Sequence, residues 1–359
     1  MKRIIIAGGG TGGHLYPGIA VAREFQKRHK DIDILFVGTV SGIEYRVLPK
    51  EGFKLETIRI AGFIGKGFLK KIMTLFMIPI SFIDSFRILN RFKPQCVIGV
   101  GGYASGPLVL SAAIMRIPNV ILEQNVVPGA TNRLLSYFTK KVAVAFEDTK
   151  RFLRKGADVV VVGNPIRKEI YSKDSQKSDR FTLLIFGGSL GAHTINMNMV
   201  EAIDYLKEIK EKIKIIHQTG DTDYSLVKDA YDKAGLNADA MPYIYDMASA
   251  YANADLVISR AGATTVAELT ACGKAAILIP FPFATHNHQE MNARALSEAG
   301  AGEMMLNKDL SGKILAERII YYLNNRQKIT EMEKKSAALG KKDAASRIVS
   351  LCGELVFNV

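Results

Sequence analysis

Short runs of consecutive apolar residues, rich in Ile and Val, alternate along the chain with longer stretches of helical character. In the first half they lie at residues 3–7, 32–37, 96–100, 120–122, 141–145 and 159–162. In the second half they lie at 182–186, 214–217, 256–259 and 276–280. A strand exposed on one face would alternate apolar with polar residues. Continuous runs, several of them ending in glycine, read instead as strands buried on both faces, the signature of parallel α/β sheets. The opening run Ile4-Ile5-Ile6-Ala7-Gly8-Gly9-Gly10 has a near echo in Leu183-Leu184-Ile185-Phe186-Gly187-Gly188-Ser189, 179 residues later. Each copy carries a small polar residue (Thr11, Ser189), then glycine and soon histidine (His14, His193). Two strand–glycine-turn–helix openings half a chain apart predict two Rossmann-like domains. The turn residues of Val162-Gly163-Asn164-Pro165 mark the seam, giving domains 1–163 and 164–340.

Composition narrows the class. The chain has 359 residues, 48% of them hydrophobic and 23% charged, enough for two full cores and incompatible with disorder. Cys96, Cys272 and Cys352 lie far apart with no C-x-x-C, which argues against a disulfide scaffold or zinc ribbon and suits a reducing cytoplasm. Met1-Lys2-Arg3 is followed by too short an apolar run for a signal peptide. The longest apolar run, 72–83, is broken by Pro79 and falls short of the ~20 residues that span a bilayer. The expectation is a soluble protein that at most sits on a membrane. The net charge of +13 attracts polyanions: nucleic acid, anionic lipid or phosphorylated substrates. There is no helix-turn-helix, zinc-finger or RNP motif, so no nucleic-acid partner is expected.

The candidate chemistry sits in glycine turns. Gly8, Gly10 and Gly13 match G-x-G-x-x-G, and free N–H groups at the following helix start attract phosphate. A dinucleotide site also needs an acid at the end of the next strand. That strand ends Phe36-Val37-Gly38-Thr39, without one, which argues against NAD. Three further turns follow apolar runs, at residues 99–107, 186–192 and 259–268. In open α/β sheets ligands bind at the carboxyl ends of the strands. Four such turns from two domains point to a phosphate or sugar site. Glu268, one to two turns into its helix, suits a ribose diol, or is a plain surface carboxylate. Arg260 and Arg167 suit phosphate, or are surface arginines. His286, His288 and Gln289 suit sugar hydroxyls. The rival metal reading has only Glu290 as a nearby carboxylate.

An ordered set of strings carries a specific resemblance. They are Gly9-Gly10-Thr11-Gly12-Gly13-His14 with Pro17-Gly18, Gly101-Gly102-Tyr103-Ala104-Ser105-Gly106-Pro107, Glu123-Gln124-Asn125 and Val162-Gly163-Asn164-Pro165-Ile166-Arg167. They continue with Gly187-Gly188-Ser189-Leu190-Gly191-Ala192, Arg260-Ala261-Gly262-Ala263-Thr264-Thr265-Val266-Ala267-Glu268, and His288-Gln289 with Asn292-Ala293. In these the chain resembles the MurG family, the bacterial UDP-N-acetylglucosamine transferases that convert lipid I to lipid II. Leu190 stands where the family commonly has Gln, and the segment 281–288 varies within it.

The resemblance implies the α/β GT-B fold: two Rossmann-like domains whose parallel sheets face a deep interdomain cleft, with a C-terminal helix, about 341–359, returning to the first domain. By similarity Ser189 and its loop hold the donor diphosphate and Glu268 the ribose. The backbone of Ile244 and the side chain of Arg167 flank the uracil. Ala263, Thr264, Thr265 and Gln289 meet the diphosphate or GlcNAc. Thr11, Gly12 and Gly13, with the 101–106 loop, meet the acceptor's pyrophosphate. Asn125 reaches the donor sugar, and Tyr103 orients the acceptor. The implied reaction is a single inverting displacement by the 4-hydroxyl of MurNAc on C1 of GlcNAc. Its base is His14, whose imidazole ordinarily titrates near 6.5, or Glu123; a role for His14 in binding pyrophosphate stays open. No cofactor or obligatory divalent cation is expected, because helix N-termini can meet the leaving diphosphate. The partners are UDP-GlcNAc, lipid I and an anionic membrane surface, at the cytoplasmic face of the cell membrane. For the last, segment 66–93 interleaves Lys66, Lys70, Lys71, Arg87, Arg91 and Lys93 with apolar residues against the single acid Asp84. The alternative is another UDP-GlcNAc enzyme on the same fold, such as a 2-epimerase.

Overall fold

A computed structural model describes residues 1–60, 68–174, 178–188 and 191–357, without the side chains of 68–76. The chain divides into two compact units, Met1–Arg167 with Lys342–Val359, and Lys168–Lys341.

The first unit is built on seven parallel strands: β1 (Arg3–Gly8), β2 (Asp33–Gly38), β3 (Lys54–Thr57), β4 (Cys96–Gly101), β5 (Asn119–Glu123), β6 (Lys141–Val144) and β7 (Val159–Val161). Their order is β3-β2-β1-β4-β5-β6-β7. Side chains alternate across a strand, so β1 feeds two cores. Ile4 and Ile6 pack with Leu15 and Phe25 of the Gly12–Arg28 helix, while Ile5 and Ala7 pack with Leu108 and Val109 of the Ser105–Ile114 helix. The C-terminal helix Ala344–Phe357 joins the first of these cores through Ile348, Val349, Leu351 and Cys352. Arg28 ties it down by donating to Ser350 Oγ at 3.0 Å and to the Ser346 carbonyl at 3.1 Å.

The second unit has six parallel strands: β8 (Phe181–Phe186), β9 (Ile213–Gln218), β10 (Ala238–Met241), β11 (Leu256–Ser259), β12 (Ala276–Leu278) and β13 (Glu303–Met304). Their order is β10-β9-β8-β11-β12-β13. In each unit the chain starts mid-sheet, winds to one edge, then crosses back past its first strand. The strand order therefore reverses between β1 and β4 and between β8 and β11. A doubly wound sheet opens its ligand crevice at the carboxyl ends of such a pair. All four glycine turns singled out in the sequence follow one of these four strands.

The strands β3, β10 and β13 were not expected. Each is a sheet edge, short and partly exposed, with no continuous apolar run to betray it. Of the segment 66–93, Lys66 lies outside the described residues. From Phe68 to Phe92 it is helical, and near its C-terminal end it turns Ile88 and Leu89 into the core. Its acid, Asp84, is paired with Arg59 at 2.7 Å. Among the described residues no helix is long and apolar enough to cross a membrane.

Candidate active site

In the first unit the turns after β1 and β4 touch backbone to backbone. The Gly9 N–H donates to the Gly101 carbonyl at 3.2 Å. A Cβ on Gly8 would lie 2.1 Å from the Gly101 oxygen, and one on Gly102 2.5 Å from the Gly9 oxygen, both at positive φ. Only glycine allows that approach. The Gly12–Arg28 helix begins just beyond, so its first-turn N–H groups lie at this switch point.

His14 sits in that first turn, with Nδ1 3.3 Å from Gln124 Oε1. Gln124 donates through Nε2 to the Val100 carbonyl at 2.9 Å, which turns its oxygen toward the imidazole. An acceptor there favours the proton on Nδ1 and the lone pair on Nε2 of the neutral ring. Glu123 is buried and accepts four hydrogen bonds: Asn125 N–H at 3.0 Å, Asn125 Nδ2 at 3.3 Å, Gly129 N–H at 3.1 Å and Asn132 Nδ2 at 2.8 Å. That saturates a carboxylate. Glu123 therefore braces the loop that carries Asn125. Tyr103 is half exposed at the second turn. The Arg167 guanidinium lies 4.8 Å from the Tyr16 ring centroid, against the Gly12–Arg28 helix.

In the second unit, Ser189 and Leu190 of the turn after β8 lie outside the described residues. Gln218, at the end of β9, organises what flanks them: Nε2 donates to the Gly188 carbonyl at 2.7 Å and Oε1 accepts the Ile244 N–H at 2.9 Å. The Ala263–Cys272 helix opens the turn after β11, and Thr264 Oγ1 is buried there with no partner among the described residues. Thr265 lies in the same first turn. On the next turn Glu268 Oε2 accepts from Tyr251 OH at 3.0 Å. Burial, reinforced by Glu268, pushes the Tyr251 phenol well above its ordinary pKa, so it stays a donor.

Arg260 is buried and donates through one nitrogen to the carbonyls of Ile279 (3.1 Å) and Pro280 (3.2 Å) and to Asn307 Oδ1 (3.0 Å). These are neutral oxygens, two from the loop after β12 and one from the turn after β13, and burial lowers the guanidinium pKa. Here Arg260 is a strut of that loop. Gln289 Oε1 accepts the Phe281 N–H at 3.0 Å across the same loop. His286 and Asn287 are consecutive left-handed residues, at φ +53° and +55°. The turn is held by His288 Nδ1 on the Thr285 carbonyl (2.7 Å) and Asn287 Nδ2 on Glu290 Oε2 (2.6 Å). Among the described residues no three His, Cys, Asp or Glu side chains gather as metal ligands do.

Residues 4–144 match the glycosyltransferase family 28 N-terminal domain, and residues 182–348 its C-terminal domain. The chain is 48% identical, over 99% of its length and 94% of the relative's, to a protein of Myxococcus xanthus. That protein is named UDP-N-acetylglucosamine–N-acetylmuramyl-(pentapeptide) pyrophosphoryl-undecaprenol N-acetylglucosamine transferase. The chain belongs to this transferase family. A crystal structure of Acinetobacter baumannii MurG matches with TM-score 0.82 at 33% identity, over 99% of this chain and 100% of that one. The fold is therefore the two-domain α/β GT-B fold. A UDP-GlcNAc 2-epimerase of Neisseria meningitidis matches with TM-score 0.68 at 16% identity, over 98% of this chain and 99% of that one, a likeness of fold alone.

Within each unit, most of the candidate residues gather at the switch point. Thr11, Gly12, Gly13 and His14 meet the turn of Tyr103, with Asn125 on the next strand's loop. Ala263, Thr264, Thr265 and Glu268 share one helix start beside β8, with Ile244 held near the β8 turn by Gln218. The reading of the sequence missed the residues that orient these: Gln124, Gln218, Tyr251 and Glu44. Gln124 stood inside a quoted string, between two named neighbours. The other three carry no local pattern.

Proposed function

We propose that the chain transfers GlcNAc from UDP-GlcNAc to the 4-hydroxyl of MurNAc in lipid I, forming lipid II for peptidoglycan. The near full-length identity to a transferase named for that reaction carries the reading. The second unit holds the donor: the residue 187–191 turn and the start of the Ala263–Cys272 helix meet the diphosphate, Glu268 the ribose, and the Ile244 carbonyl the uracil. The first unit holds the acceptor's pyrophosphate on the N–H groups of Thr11, Gly12 and Gly13.

The acceptor oxygen attacks C1 of the α-linked sugar, and its proton passes to Nε2 of His14. The bond from C1 to the diphosphate oxygen breaks, UDP leaves, and the new linkage is β-1,4. Gln124 supports this role by favouring the tautomer with its lone pair on Nε2. Helix-start N–H groups stabilise the charge that develops on the departing diphosphate. The basic and apolar segment 66–93 brings the protein to an anionic membrane, where a lipid-linked acceptor resides.

The test is turnover of UDP-GlcNAc to UDP with and without a lipid I analogue. Release of UDP that depends on the analogue and yields a β-1,4 disaccharide is expected. Conversion of UDP-GlcNAc to its 2-epimer without any acceptor would overturn the reading.

A further inference from the structure

Glu44 is an acid buried beside the first glycine turn. It opens the short helix Glu44–Val47 after β2 and has no exposed surface. Its Oε2 accepts the Gly10 N–H at 2.7 Å, while Oε1 accepts the Thr39 N–H at 2.9 Å and Thr39 Oγ1 at 3.1 Å. The slot it fills is walled by glycine. A Cβ on Gly42 would lie 2.1 Å from Oε2, one on Gly9 2.4 Å from Oε2, and one on Gly38 2.5 Å from Cγ. Three glycines from two segments leave room for this one carboxylate.

In a dinucleotide-binding fold the acid beyond the second strand faces the ribose diol. Here the first acid after β2 turns back under the glycine turn and spends its oxygens on Gly10 and Thr39. The turn itself, Gly8-Gly9-Gly10, has positive φ at all three positions. Such a run has more conformational freedom to lose than any other sequence. A charge-assisted bond to its last member opposes that freedom. We propose that Glu44 is the positioning residue of this turn: it pins Gly10 so that the helix-start N–H groups stay aimed at the acceptor's pyrophosphate, and it leaves that site without a carboxylate for a ribose. The inference rests on reading this turn as the acceptor's site.

Glu44→Gln keeps the volume but places an amide NH2 against one of the donors that now face a carboxylate. With a lipid I analogue as the varied substrate, the acceptor KM should rise about 10- to 100-fold, while the Kd for UDP stays within about twofold. Thr39→Val removes only the hydroxyl bond and should raise the same KM about threefold to tenfold, which serves if Glu44→Gln fails to fold. A lowered Tm with an unchanged acceptor KM in either folded variant would make Glu44 a purely structural residue and overturn the proposal. Gly13→Pro separates the two levels, since proline is tolerated in a first helical turn but deletes one N–H. An acceptor KM indifferent to Gly13→Pro sinks the reading of the turn. One that responds to it, but not to the Glu44 and Thr39 variants, sinks this inference alone.

Discussion

The phenol of Tyr251 donates to Oε2 of Glu268 across 3.0 Å, and the Tyr251 ring stands edge-on to Phe186 at 5.9 Å. Phe186 is the last residue of β8, so the proposed ribose carboxylate is referenced to the strand that leads into the diphosphate turn. Glu268→Ala should weaken UDP by about 1.5–3 kcal/mol, roughly tenfold to a hundredfold. Tyr251→Phe leaves the carboxylate in place but unoriented, and should weaken UDP by about 0.5–1.5 kcal/mol. Titration calorimetry decides. Equal UDP affinity for wild type and Glu268→Ala would remove Glu268 from the donor site.

His14→Ala should lower kcat at least about a hundredfold, the usual effect of losing a general base. UDP affinity should stay within a few fold, because His14 belongs to the other unit's turn. Steady-state kinetics with the acceptor varied makes the distinction. If kcat survives and only the acceptor KM rises, His14 binds pyrophosphate and is not the base.

His217 lies fully buried between Tyr231 OH (2.9 Å to Nδ1) and Asn196 Oδ1 (3.1 Å to Nε2), and burial pushes its pKa down to about 3. The unfolded chain, with an imidazole near 6.5, binds the proton first as pH falls. The stability tied to His217 is therefore whole above about pH 6.5 and drains away as pH falls toward 3, by about 2 kcal/mol at pH 5. Asp223 adds to the same trend: although burial opposes it, hydrogen bonds from Asn196 and His193 hold its carboxyl below the ordinary range. Thermal unfolding at pH 7.5 and pH 5 should show a drop in wild type that shrinks in His217→Gln. An identical drop in both proteins would assign the acid sensitivity elsewhere.

Arg87 and Lys93 are exposed and Asp84 is paired with Arg59, whereas Arg91 is paired with Glu56. Arg87→Glu with Lys93→Glu should weaken sedimentation with anionic vesicles by about tenfold or more, at about 1 kcal/mol per basic residue near the surface. Binding that is equal on neutral vesicles and indifferent to salt would count against electrostatic docking.

The amino-acid sequence by itself determined the two-fold α/β architecture and the positions of its glycine turns. Central parallel strands must be apolar on both faces, so β1, β4, β5, β8 and β11 announce themselves as runs of Ile, Val and Leu. Turns that pass backbone against backbone, as Gly8 and Gly102 do, admit no side chain and so must be glycine. The edge strands β3, β10 and β13 escaped because an edge is covered on fewer sides and tolerates Lys, Glu and Asp. Only the tertiary structure decided what the charged and polar residues do. A carboxylate reads the same in a sequence whether it braces a loop, as Glu123 does through four donors, or waits for a ribose. Glu44 meets Gly10, 34 residues earlier, and Gln124 meets His14, 110 residues earlier. Such partners are chosen by where the sheet order carries each loop, a property of strand pairing that leaves no local trace in the residues themselves.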